Sequence, residues 1–141
     1  MNIVWFKRDL RLYDHQPLTE ASKSNGDILC LHIIEPKLWQ QPDLSGRQYD
    51  FYSESLAELK SEFESLNIPF CIRVGDAETI FNNLNREFNV KSILSHQETW
   101  NDWTYQRDKS LKSFFFLKNL IKINRHSFGM LCESLVLIKF A

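Results

Sequence analysis

The chain has 141 residues, 43% of them hydrophobic and 25% charged, a globular balance that excludes a disordered tail, a collagen-like rod or a polar linker. Its 17 Lys and Arg against 18 Asp and Glu leave a net charge of -1, so a basic surface for unspecific nucleic-acid binding is not expected. Cys30, Cys71 and Cys132 have no metal-ligand spacing and sit in apolar contexts, which reads as buried thiols of a reducing cytoplasm. The start of the chain lacks a basic-then-apolar leader. No window reaches the roughly 18 apolar residues of a spanning helix, so no membrane contact is expected.

Short apolar runs alternate with longer amphipathic ones. Ile3 to Phe6 reads as a first buried strand. Pro17 suits the first turn of a helix running to about Ser24, and Asn25-Gly26 supplies its stop. Ile28 to Ile34 is a near-continuous apolar run, as in a strand covered on both faces, and Pro36 ends it. Ser45 and Gln48 form a capping-box pattern. Phe51, Tyr52, Leu56, Leu59, Phe63 and Leu66 then follow in steps that make one helical stripe. Pro69 to Val74 reads as a third strand, Gly75-Asp76 as a turn whose Asp76 caps the next helix, and Ala77, Ile80, Phe81, Leu84 and Phe88 as that helix's inner face. Val90 to Ser95 is a fourth strand. A fourth helix begins near Asn101 or Asp102 and runs through Arg107, Leu111 and Phe115, and Leu120 to Ile123 suits a short fifth strand. This order predicts a three-layer Rossmann-like α/β fold, with an about five-stranded parallel sheet, its first strand central, and helices on both faces.

In such sheets ligands bind beyond the C-terminal ends of the strands. Two segments there carry chemistry. Lys7 to Asp14, after strand one, holds Arg8 and Arg11 beside Asp9 and Asp14, which suits either a ligand grip or a salt-bridged loop. His96 to Trp103, after strand four, offers donors, acceptors and two indoles for a planar polar ligand, or a helix cap at Asn101 or Asp102 with Trp103 in the core. There is no Gly-rich phosphate fingerprint. His15, His32, Glu98 and Asp102 match no ordinary metal spacing, so no metal is expected, and no catalytic triad or Cys-His pair is recognisable.

Both segments resemble the DNA photolyase/cryptochrome family. Val4-Trp5-Phe6-Lys7-Arg8-Asp9-Leu10-Arg11-Leu12-Tyr13-Asp14-His15 is similar to the family's opening, with His15 where Asn usually stands. Ser95-His96-Gln97-Glu98-Thr99, continuing through Trp103 to Asp108, is similar to a second family block, with Trp100 where Gly is frequent. The resemblance covers residues 1–117 as an α/β domain, and residues 118–141 form a divergent apolar tail that would include the fifth strand. It implies the N-terminal part of a deoxyribodipyrimidine photolyase-like protein, which binds an antenna chromophore (a folate, a deazaflavin or a flavin) for light-driven DNA repair. The alternative is a stand-alone or truncated small-molecule-binding module without catalytic activity.

Family antenna contacts carry over loosely to Arg8, Arg11, Asn101 and Asp102, with Glu35 to Trp39 bordering the same cleft. Catalysis in the family lies in a C-terminal helical domain. No catalytic residue and no FAD are therefore expected in this segment, and DNA would be met only through that domain. Loss of the family pattern beyond Phe116 is what a reading-frame shift produces. The apolar run Leu135 to Ile138 would add to a sheet edge, in its own chain or in a neighbour's, and self-association into a dimer is expected.

Overall fold

The computed structural model describes residues 1–98, 100–117, 122–125 and 135–139. Thr99, Leu120, Cys132 and the run 126–134 lie outside the described residues. The elements are β1 (Asn2–Phe6), α1 (Gln16–Lys23), β2 (Ile28–Ile34), α2 (Pro36–Trp39), α3 (Gly46–Ser65), β3 (Phe70–Val74), α4 (Ala77–Phe88), β4 (Ser92–His96), α5 (Asp102–Leu117), β5 (Lys122–Arg125) and β6 (Leu135–Lys139). The sheet order is β3-β2-β1-β4-β6-β5. β1 is parallel to both β2 and β4, and β2 is parallel to β3, so the first strand is central in the parallel part.

Four strands are parallel, fewer than the about five expected. The reason is β6. It pairs antiparallel with β4, from Ser92↔Lys139 to His96↔Leu135, and takes the edge a fifth parallel strand would occupy. β5 falls at Lys122–Arg125, pairs antiparallel with β6, and so runs in the direction of β4 without touching it. The apolar tail therefore completes its own chain's sheet. An unpaired β4 edge would leave a row of backbone donors and acceptors open.

Side chains alternate across the sheet and build two cores. Ile3, Trp5, Leu31, Ile33 and Ile93 face Ala77, Phe81 and Leu84 of α4 and Leu111 and Phe115 of α5. Val4, Phe6, Cys30 and Leu94 face Ala21 of α1 and Leu59 and Phe63 of α3. All five residues of β1 are buried, which suits the apolar run Ile3 to Phe6, while the buried Asn2 side chain bonds Ser24 and Ser92.

Local chemistry sets the element ends. The capping box at Ser45 and Gln48 forms in both directions. Asp76 accepts from the Thr79 amide at the start of α4, and Asn89 ends that helix in the left-handed conformation that Asn tolerates. Gly26 turns α1 into β2 at φ +126°, where a side chain would be strained. The α3 stripe is shorter than its sequence suggests: Leu56, Leu59 and Phe63 are buried, whereas Phe51 is 74% exposed and Leu66 56% exposed. Phe88 is likewise half exposed.

These exposures separate two phenylalanines of one helix. Phe63 stacks on Phe70 at 4.7 Å and meets Phe6 edge-on at 5.6 Å. Phe63→Ala is expected to cost about 3–5 kcal/mol in urea unfolding. Phe51→Ala is expected to stay within about 0.5 kcal/mol of the parent. Equal losses would contradict this assignment of the core.

Candidate functional site

β1 lies where the strand order reverses, with β2 on one side and β4 on the other, so the crevice beyond the ends of these strands is the natural ligand site. Two knots of buried charge hold it open.

The first knot centres on Asp9, just past β1. Its carboxylate accepts from the Lys7 amide at 2.9 Å, lies 2.6 Å from His15 Nε2, and bonds His96 Nδ1. Burial pushes the Asp9 carboxyl up, but the contacts from His15 and His96 outweigh it and hold the group well below the usual carboxylate range. His15 is also the N-cap of α1: its Nδ1 accepts from the Leu18 amide at 3.2 Å, which puts its proton on Nε2, facing Asp9. Asp9, His15 and His96 bring one ligand atom each within 4.8 Å of one another, so they could hold an ion. Of His15, His32, Glu98 and Asp102, whose spacing matches no ordinary metal site, only His15 belongs to this trio. The Asp9 carboxylate bonds His96 Nδ1, whereas His15 Nε2, close to it at 2.6 Å, completes no hydrogen bond among the described residues.

The second knot centres on Arg107 of α5. Its guanidinium donates to Glu35 at 2.5 Å, to Glu98 at 2.6 Å and to Asp108 at 2.8 Å. Burial disfavours the Arg107 cation, yet the three carboxylates outweigh that and raise its pKa further. Burial pushes the Glu35 carboxyl up against the opposing pull of Arg107. Lys7, buried beside them, donates to Asp108 at 2.7 Å and to the His96 carbonyl at 3.1 Å, and its burial lowers its pKa. Trp5 lies beneath both cations, 4.6 Å from Lys7 Nζ and 4.7 Å from the centre of the Arg107 guanidinium.

Above these knots lies a cavity of about 620 Å³. Trp5, Lys7 and Glu35 line it together with Trp39, Phe51, Tyr52, Glu98, Trp100 and Arg107, and Arg8, Arg11 and Arg47 also contribute. The Arg8 guanidinium lies over the Trp100 ring, 3.7 Å from its centroid. Trp39, Tyr49 and Tyr52 form a cluster of rings with centroids 4.7–5.9 Å apart. Tyr52 donates to His32 Nε2, and His32 Nδ1 donates to the Phe6 carbonyl at 2.8 Å, which fixes the tautomer.

Of the four residues singled out in the sequence, the cavity brings together Arg8 and Arg11. Asn101 caps α5 instead, accepting from the Thr104 amide at 3.0 Å, and it donates to Asp43 at 3.0 Å. Asp102 is exposed on the first turn of α5 and accepts from Gln106 at 3.2 Å. Neither is among the lining residues. Glu35, Leu38 and Trp39 do border the cleft, as expected.

Sequence reasoning missed Phe51 and Tyr52 as lining, having assigned them to the core stripe. A signal was present. Arg47, Phe51 and Ser55 stand four apart, and so do Gln48 and Tyr52. This is a mixed polar and aromatic helix face that a pure core would not carry. The three-carboxylate grip of Arg107 had no local signal.

Burial lowers His32 to about 4, against the Phe6 carbonyl and Asp9, which pull it upward. The unfolded value is 6.5, so the contribution of neutral His32 is complete above that pH and is lost as pH falls toward 4. Between pH 7 and 4.5 the parent is expected to lose about 2–3 kcal/mol more than His32→Gln in urea unfolding. Superimposable pH profiles would contradict this. The depressed Asp9 acts in a lower window, below the ordinary carboxylate pKa of about 4.

Comparison with known proteins agrees with this architecture. A family model for DNA photolyase matches residues 2–133, past the point at residue 117 where the visible pattern fades. The deoxyribodipyrimidine photo-lyase of Vibrio cholerae is 34% identical over 102 residues, covering 70% of this chain and 22% of that protein. The class III photolyase of Agrobacterium tumefaciens superposes with a TM-score of 0.71 at 28% identity, covering 83% of this chain and 23% of the other. The archaeal photolyase of Sulfolobus tokodaii, whose structure holds two FAD molecules and implies a novel light-harvesting cofactor, gives a TM-score of 0.68 at 27% identity over 83% of this chain and 27% of that one. The chain thus spans 22–27% of the length of these relatives. Among the described residues no helix is long and apolar enough to cross a membrane. The chain belongs to the DNA photolyase family, and it corresponds to the family's N-terminal Rossmann-like domain.

Proposed function

We propose that this chain holds a light-harvesting antenna chromophore in the cleft above β1, β2 and β4, as the N-terminal part of a photolyase-like protein that repairs DNA with light. The observation that carries the reading is the cavity itself. Its 620 Å³ suits a molecule of folate or flavin size, and it is walled by indole and phenol rings with arginines among them. Flat rings match a planar chromophore, and Arg8 and Arg11 match carboxylate or phosphate groups on its side chain.

The donor set fits such a group. When bound, it supplies the absorption of near-ultraviolet or blue light. The residues of this chain bind it, orient it and exclude water, and no bond-breaking step is assigned to them. Arg8, already stacked on Trp100, and Arg11 contact it directly in this reading. Asn101 and Asp102 act at a remove, by starting α5 and so placing Arg107. A cytoplasmic setting is consistent with the reading: Cys30 and Cys71 are free, and burial pushes the Cys30 thiol up to about 11.

Fluorescence titration with a folate, a deazaflavin and a flavin tests the proposal. At least one is expected to bind, with Arg8→Ala and Arg11→Ala each weakening it about tenfold, or about 1.4 kcal/mol. Absence of binding by all three, or unchanged affinity in both variants, would contradict it.

A further inference from the structure

Positions 9, 15 and 96 share no motif spacing, yet the fold gathers Asp9, His15 and His96 so that one donor atom of each lies within 4.8 Å of the other two. Their side chains are 8%, 0% and 9% exposed. The carboxylate is held in place: the Lys7 amide donates to Oδ1 at 2.9 Å, which leaves Oδ2 to the two rings. The His15 ring is stacked on Phe6 at 4.3 Å and meets His96 edge-on at 4.8 Å. Its Nε2 is fully buried and makes no hydrogen bond among the described residues. Such orphans are rare, because a buried polar group without a partner is costly. Asp9 Oδ2, at 2.6 Å, is near enough to bond it, so direction and not distance is what fails. The charge is also open. The Lys7 ammonium is taken by Asp108 and the His96 carbonyl, and among the described residues Asp9 pairs with histidines alone.

We propose that Asp9 Oδ2, His15 Nε2 and His96 Nδ1 are three ligands of a divalent transition-metal ion of the zinc class, with water in a fourth position. Two imidazoles and one carboxylate are a donor set such ions accept, and either ring nitrogen of a histidine can ligate. Ligand distances of about 2.0–2.2 Å place tetrahedral donors about 3.4 Å apart, so the 2.6 Å contact opens by about 0.8 Å. Each ring keeps one proton and moves it to its other nitrogen, Nε2 of His96 and Nδ1 of His15. The Leu18 amide then gives up its bond to His15, a long one at 3.2 Å. Asp9 lines the cavity, which gives the ion a way in. The site is independent of any chromophore in the cleft. It is also particular to this chain, since Asn usually stands at the position of His15 in the family, and an amide is a poor ligand for such an ion.

The test titrates chelator-treated protein with zinc by calorimetry and with cobalt(II) by visible absorption. The parent is expected to bind one zinc per chain with micromolar or tighter affinity, and cobalt is expected to give the intense visible bands of a four-coordinate ion without a thiolate charge-transfer band. His15→Asn removes the ligand while supplying a favoured helix N-cap, so the fold is kept. Zinc affinity is expected to fall at least a hundredfold in this variant and in His96→Gln. Zinc is expected to raise the urea midpoint of the parent and not that of His15→Asn. Circular dichroism without metal establishes that the variants are folded, and the cobalt spectrum of the parent needs no variant. A parent that leaves cobalt with the weak spectrum of the hydrated ion overturns the site. So does a thiolate band, which would move the metal to a cysteine, or zinc affinity unchanged in His15→Asn.

Discussion

A single guanidinium organises the ligand end of this domain. Arg107 reaches from α5 to Glu35 after β2 and to Glu98 after β4, and lies over Trp5 of β1. The side chains of Arg107, Glu35 and Glu98 are at most 9% exposed. A charge taken so far out of water is tolerated only when it is paired and hydrogen-bonded, so each carboxylate has one low-energy place to be. Three strand ends from separate parts of the chain are thereby held in one register. The Asp9 knot does the same beside it, tying the loop after β1 to the start of α1 and the end of β4. The cleft is the space these two knots leave between them.

Legibility in the sequence follows from range. Strands buried on both faces read as apolar runs, and β1 and β2 were visible for that reason. Helices with strong caps were visible too, because Ser45 with Gln48 and Asp76 with Thr79 are contacts across three residues. His15 shows how a local role survives a change of residue. Asn usually stands there in the family, and Asn is a favoured N-cap; here the ring Nδ1 accepts the same amide bond. The four-residue α2 was hidden behind Pro36, which reads as a strand end as readily as a helix start.

What the sequence did not disclose is long-range. Nothing near Arg107 announces partners 72 and 9 residues away. Asn101 and Asp102 sit beside the cleft in sequence, but the first residues of a helix point their polar groups at its own amides, and that is where Asn101 is used. Phe51 and Tyr52 obey helical periodicity with the core residues below them, yet α3 outruns the sheet and presents its first turns to the cavity. The tail strand β6 was anticipated as an edge-seeking segment. Its placement between β4 and β5 was not, because antiparallel insertion depends on which edge is open.

The central claim is that the Arg107 grip holds the cleft by satisfying buried carboxylates. Unfolding free energies of Arg107→Met and of the triple variant Arg107→Met/Glu35→Gln/Glu98→Gln test it most directly. The single variant strands two buried acids and is expected to lose about 3–5 kcal/mol. The triple variant removes the stranded charges and is expected to recover at least half of that loss. A triple variant no more stable than the single one would show that the carboxylates are not what Arg107 holds in place.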